Sequence, residues 1–225
     1  MTAESIFLVD RAAMDYENRM DQKTGANGWR GSPEAWLTAA YDVLLESGVD
    51  SVRILLMAKR LNLSRTSFYW FFKDREELLV GLLRLWRDKN TGNFIRQTNS
   101  YAETLVEGLL NVSDCWFDTT VFDSQFEFAV RSWALQSPEV QAEVQTADEL
   151  RLAALSDLFR RFGYSEISAG VRARTVYLTQ IGYISMQTSE ELELRLARMS
   201  TYIEVFSGHA PQQREMNRFL ARHRA

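Results

Sequence analysis

The sequence predicts an all-α protein, with a small N-terminal helical domain followed by a larger helical one. Three observations carry this reading. Helix breakers are scarce, with 3 prolines and 11 glycines in 225 residues. Apolar residues recur every three or four positions along most of the chain instead of alternating. Capping residues stand where that periodicity restarts. A hydrophobic content of 46% and a charged content of 25% fit a globular chain long enough to bury a core.

Residues 1–31 are weakly patterned, and Lys23-Thr24-Gly25-Ala26-Asn27-Gly28 reads as loop. Arg11 and Arg19 in this N-terminal extension read as part of a frayed terminus, or as an arm that touches DNA. The first helix opens at Ser32-Pro33-Glu34. Serine caps, proline suits the first helical position, and glutamate complements the helix dipole. Trp36, Leu37, Ala40, Tyr41, Leu44 and Leu45 follow at helical spacing, and Gly48 should end the helix in a left-handed conformation. A second helix is expected over 53–60, with Ile54, Met57, Ala58 and Leu61 facing inward. Asn62 tolerates the backbone of a sharp turn, and Ser64 caps a third helix over 64–71. Two short helices with a tight turn between them form a helix-turn-helix pattern.

A fourth helix opens at Asp74, spaced from Glu77 as in a capping box, with Leu78, Leu79, Leu82, Leu83 and Trp86 as its buried stripe. It should link the two domains and end around Gly92 and the polar Gln97-Thr98-Asn99-Ser100. Further helices are expected over 101–117, 123–136, 138–162, 168–187 and 190–207, with Thr188 and Glu191 as a capping box before the last. The domains are then 32–79 and 80–208, and 209–225 forms a basic tail carrying Arg214, Arg218, Arg222 and Arg224.

Charge is unevenly placed. The window 51–73 holds Arg53, Lys59, Arg60, Arg65 and Lys73 and no acid, in a chain of net charge −4. A cationic island on an acidic body suits a local nucleic-acid contact; a solvated face is the plainer alternative. The third helix strengthens the first reading. Ser64, Arg65, Thr66 and Ser67 supply hydroxyls and a guanidinium for base edges and phosphates, while Phe68 and Phe72 fix the helix to its own domain. Trp70 is large for an exposed helix face, and reads either as a sugar or thymine-methyl contact or as packing on the first helix. Lys73 and Arg75 sit at a helix N-terminus, where backbone amides favour a phosphate.

Chemistry is otherwise sparse. No G-x-G-x-x-G, phosphate-binding loop, G-x-S-x-G or H-E-x-x-H occurs, and the histidines are His209 and His223. No enzymatic activity, metal or cofactor is expected. The single cysteine, Cys115, excludes an internal disulfide and fits a reducing, cytoplasmic setting; a redox role for its thiol is the lesser reading. No apolar run approaches the roughly 20 residues that span a bilayer, and no export signal is expected.

The segment Gly48 to Leu79 resembles the DNA-binding domain of TetR-type transcriptional regulators. The resemblance rests on Gly48, Ala58, Leu63-Ser64, Tyr69-Trp70-Phe71-Phe72 and Lys73-Asp74-Arg75-Glu76-Glu77-Leu78. Four positions depart from the pattern: Asn62 replaces a turn glycine, Thr66 a small glycine, Arg53 a capping threonine, and Leu55 a polar position. The resemblance implies double-stranded DNA as partner, with Tyr69 giving its hydroxyl to a phosphate and Arg53 reaching another. It also implies a homodimer on a palindromic operator, paired through the last two long helices. Ala169, Ala173, Gly182 and Ser185 would allow close approach there, and Tyr177, Leu178, Ile181, Ile184, Leu192, Leu196, Met199 and Ile203 would fill it; the plainer alternative is an intrachain core, which some of them serve. Further implied is a pocket for a small effector near the aromatic set Trp116, Phe117, Phe122, Phe126, Phe128 and Trp133, with Glu127, Arg131 and Tyr177; an aromatic cluster at helical spacing is more often core, and Glu127 and Arg131, on one helix face, could meet each other or a ligand's polar end. The expected function is a ligand-responsive repressor. The alternative is a helical interaction or small-molecule-binding module that has lost DNA binding, a reading that Leu55 and Trp70 favour.

Overall fold

In a computed structural model of the chain, residues 31–224 are described. Nearly all of the N-terminal extension, Arg11, Arg19 and the expected 23–28 loop included, lies outside them.

The N-terminal helices form where the caps place them. Helix α1 (Pro33–Ser47) starts at Ser32, whose Oγ accepts from the Ala35 amide at 3.2 Å. It stops at Gly48, at φ 75° and ψ 172°. This is not the left-handed helical conformation the sequence suggested. It is an extended positive-φ conformation that is essentially confined to glycine. A single 3-10 turn (Val49–Ser51) leads to α2 (Ile54–Arg60). Asn62 then turns the chain at φ 53° into α3 (Arg65–Phe68). Helix α4 (Arg75–Trp86) starts at Asp74, whose carboxylate accepts from Glu77 N at 2.9 Å, while the Glu77 carboxylate accepts from Lys73 N at 2.6 Å. The inner faces of these helices share one core, with Trp36, Val43, Met57, Phe68, Phe72 and Leu82 at its centre. A Cβ at Gly81 would lie 2.9 Å from Leu37 Cδ2, so the missing side chain is what lets α4 ride against α1.

The connecting helix does not end at Gly92. It passes through a π-helical segment (Arg87–Gly92) and continues as α5 (Asn93–Asn99) until Ser100. Gly92 has φ −60° and ψ −48°, ordinary helical values; glycine ends a helix where it takes positive φ, which this one does not. The wider turn brings Asn90 and Thr91 into the interior, where both are buried.

The body is made of α6 (Leu105–Phe117), α7 (Ser124–Ala134), α8 (Pro138–Arg161), α9 (Glu166–Ser185), α10 (Leu192–Ser207) and α11 (Gln213–His223). Thr104, Asp123, Ser137 and Ser165 cap the first four through their side chains. The box expected from Thr188 and Glu191 does not form. The Thr188 amide donates to Tyr183 O at 3.1 Å and so closes α9, and Glu191 opens α10 with no side-chain cap. The tail expected over 209–225 is not separate either. Its α11 inserts Met216 and a fully buried Phe219 into the body, and Phe219 meets Phe117 edge-on at 5.4 Å. No helix among the described residues is long and apolar enough to cross a membrane.

Candidate nucleic-acid interface

Helix α3 is short, and three features make it a fixed platform. The Ser64 hydroxyl accepts from the Ser67 amide at 3.2 Å and lies 3.0 Å from the Ser67 hydroxyl. Phe68, with no exposed surface, meets Trp36 edge-on at 5.3 Å and stacks on Phe72 at 5.3 Å. The chain then closes with hydrogen bonds from Trp70 N to Ser67 O and from Phe72 N to Phe68 O. With its inner face so occupied, α3 turns Arg65, Thr66, Tyr69 and Trp70 outward, and all four are exposed. Arg65 donates to the Tyr69 hydroxyl at 3.1 Å and lies over its ring at 5.9 Å. No carboxylate among the described residues pairs with Arg65, so its charge is available to an anion. Exposed Arg53 and Lys59 on α2 and Lys73 before α4 extend the cationic surface.

Two of the expected contacts, Ser67 and Arg75, prove to be structural, and one cation of the basic window is neutralised. Ser67 is buried, and its hydroxyl faces Ser64 rather than solvent, because its backbone turn is the one Ser64 caps. The Arg75 guanidinium donates to Val49 O and Val52 O, each at 2.7 Å. It fastens the start of α4 to the turn before α2, where Val49 O also accepts from Val52 N at 3.1 Å. Arg60 makes a two-pronged pair with Glu46 at 2.7 Å, with Asp42 at 3.5 Å; its charge is therefore compensated.

This geometry can be compared with known proteins. Residues 37–82 match the family model described as bacterial regulatory proteins, tetR family. Over those residues the headpiece is similar to the helix-turn-helix domain of that family. A curated relative, YdeS of Bacillus subtilis (strain 168), described as an uncharacterized HTH-type transcriptional regulator, is 30% identical over 95 residues, 40% of this chain and 48% of the relative. The chain thus spans about half the length of that curated relative. A crystal structure from Mesorhizobium loti, assigned to the TetR-family transcriptional regulators, superposes with a TM-score of 0.57 at 15% identity, covering 84% of this chain and 95% of that one. It extends the likeness of fold beyond the headpiece to the body.

The headpiece meets the body through a buried polar knot. Glu127 and Arg151 are both fully buried and bond at 2.8 Å. Glu127 also accepts from Trp86 Nε1 at 2.7 Å and Asn90 Nδ2 at 2.9 Å, and Arg151 donates to Thr91 Oγ1 at 2.8 Å. Burial alone would push the Glu127 carboxyl up, but the Arg151 and Arg131 charges and the donated hydrogen bonds outweigh it and hold the group at about 2. Arg131 pairs with Asp148 as well as Glu127, and the Tyr177 hydroxyl donates to Asp148 at 2.6 Å. Every member of the knot has partners, as a buried network requires.

That knot corrects the expected pocket. Glu127, Arg131 and Tyr177 bind one another, and Phe126 and Trp133 pack in the core shared with the headpiece. Of the expected pocket residues, Trp116 and Phe117 line a cavity, one of about 560 Å³. Its other walls include Phe122, Phe128, Tyr183 and Arg195. Arg195 and Tyr183 had no sequence signal: a cation four residues after Glu191 reads as a surface pair. The expected dimer positions need the same correction. Ala173, Tyr177, Ile184, Leu196, Met199 and Ile203 are buried in the protein's own core, because α9 and α10 turn these faces toward α5, α6 and α8. Ile181 and Gly182 are half-buried and Ser185 is exposed. Cys115 is buried too, and burial pushes its thiol up to about 12, which removes the thiolate a redox sensor needs.

Proposed function

We propose that the chain is a DNA-binding transcriptional regulator of the TetR type, acting in the cytoplasm as a homodimeric, ligand-responsive repressor on a palindromic operator. The observation that carries this is the outer face of α3. Arg65, Thr66, Tyr69 and Trp70 stand exposed on a helix locked from behind by Phe68, with no acid among the described residues compensating Arg65. A recognition helix needs this combination of a rigid back and an unneutralised front. One headpiece offers few phosphate contacts, so a second copy supplies the other half-site about 34–36 Å away. The face left for pairing on α9 is Ile167, Val171 and Leu178, which are exposed, continued by Gly182 and Ser185 and by Val205 on α10. Release by an effector requires unequal affinity for the operator-bound and free forms.

The test is retardation of a DNA fragment from upstream of the protein's own gene at several salt concentrations. Binding should weaken steeply with salt, with a log–log slope near −0.9 per phosphate neutralised. Arg65→Ala and Tyr69→Ala should each weaken it by about tenfold or more, the 1–3 kcal/mol of a good contact, with thermal unfolding unchanged. A second reading rests on Leu55, 72% exposed, and Leu56, 45% exposed, on α2, an apolar surface that suits a protein partner instead of a phosphate backbone. Salt-independent or absent retardation would favour that reading.

A further inference from the structure

The cavity between α6, α7, α9 and the start of α10 has aromatic walls, charged groups and uncharged polar side chains, among them Ser124, Gln125, Gln180 and Gln187. Trp116, Phe117, Phe122 and Phe128 supply aromatic surface. The charged groups on its lining are Glu190 and Arg195, and they are not equivalent. Glu190 is engaged in an ion pair with Arg198. Arg195 has no ion-pair partner among the described residues. One of its terminal nitrogens donates to Trp116 O, and its carbon lies over the Phe117 ring at 4.6 Å. A backbone carbonyl and a ring face hold a guanidinium in place without cancelling its charge. Burial depresses the Arg195 pKa, and Glu190 and Tyr183 act against that; the group is desolvated without full compensation. With Glu190 paired to Arg198, the Arg195 guanidinium is the uncompensated charge on a lining that is otherwise apolar and uncharged polar. The volume, about 560 Å³, lies within the range of small-molecule sites.

We propose that this cavity binds a planar aromatic carboxylate, its ring system between Trp116, Phe117 and Phe128 and its carboxylate on Arg195. The proposal deepens the reading of the body as an effector receptor and rests on it, but not on DNA binding. The Arg195 donors not directed at Trp116 O are available to a carboxylate, and guanidinium–carboxylate pairing in a partly desolvated site is the strong, oriented kind. A cation would meet Arg195 as a like charge, and a neutral amide would leave it uncompensated.

The experiment titrates the full chain with three fluorescent probes of one shape: anthracene-9-carboxylate, anthracene-9-carboxamide and 9-(aminomethyl)anthracene. The carboxylate should bind about tenfold or more tightly than either other probe. Arg195→Gln should erase that preference, and Arg195→Lys should keep part of it. Circular dichroism checks that the variants are folded, and if Arg195→Gln is not, the order of the three probes on the unsubstituted protein decides. Equal affinity for all three, a preference for the amine, or no saturable carboxylate binding up to about 1 mM, the weak limit of specific binding, would overturn the proposal. DNA retardation run in parallel separates the two levels. Lost probe selectivity with intact retardation overturns the ligand class alone. Selective binding that leaves retardation unchanged upholds the ligand class and sinks the effector response.

Discussion

Phe68 shows how much one side chain carries here. A four-residue helix is far too short to be stable alone, so α3 persists because this ring is held between Trp36 and Phe72 with no surface exposed. Phe68→Ala should cost about 3–5 kcal/mol, read as a lowered urea midpoint; a loss below about 1 kcal/mol would mean that the helix has another anchor. Cys115 gives a second residue-level expectation. With its thiol pushed up to about 12 by burial, it should not react with Ellman's reagent in the native protein at pH 8 and should react fully once the protein is unfolded. Rapid native labelling would contradict its burial. At this scale the sequence was informative where local chemistry decides the role: the Ser64 and Asp74 caps, the positive φ of Asn62, the Phe68 anchor. It misjudged Ser67 and Arg75 because a polar side chain reads alike whether it meets DNA or a backbone carbonyl 23 residues away, as Arg75 meets Val52.

Among the elements, the joint between the connecting helix and α7–α8 has the most distinctive energetics. Glu127 is held at about 2 against an ordinary 4.5. Its folded pKa is depressed, so the stability it contributes is complete above pH 4.5 and drains away as pH falls toward 2. Glu127→Gln should flatten the acid limb of stability over that window. It should also cost about 3–5 kcal/mol at neutral pH by stranding the buried Arg151 charge. Urea midpoints measured from pH 7 down to 2.5 check both; an unchanged acid limb would show that other carboxylates govern it. Helix identities were readable because caps and periodicity are local. The errors were those of context: Gly92 looked like a stop but keeps helical dihedrals, and Thr188 looked like a cap but closes the previous helix. The Glu127–Arg131 pair was within reach as an i,i+4 spacing, but the Glu127–Arg151 bond was not, because the two lie on different helices.

For the whole molecule, the sequence predicted the two-part helical plan but did not separate the inward from the outward faces of α9 and α10. Periodicity finds the apolar positions of α9 and α10, but does not say which apolar face meets the protein's own core and which meets a partner. Ala173, Leu196 and Ile203 went inward, leaving Val171 and Leu178 at 60% and 57% exposed. Val171→Glu with Leu178→Glu should therefore yield a monomer by light scattering, with helicity retained and DNA retardation lost together. A double variant that still forms dimers would place the interface elsewhere. The π-helical segment Arg87–Gly92 bears on how such a pair meets DNA. One residue added to a helix advances everything beyond it by about 100° of rotation and 1.5 Å of rise. The connecting rod is thus a keyed shaft, and its one widened turn fixes the azimuth at which each reading head leaves the body. Deleting Asp88 should restore an unbroken α-helical pitch and leave a folded headpiece turned to another side of its shaft.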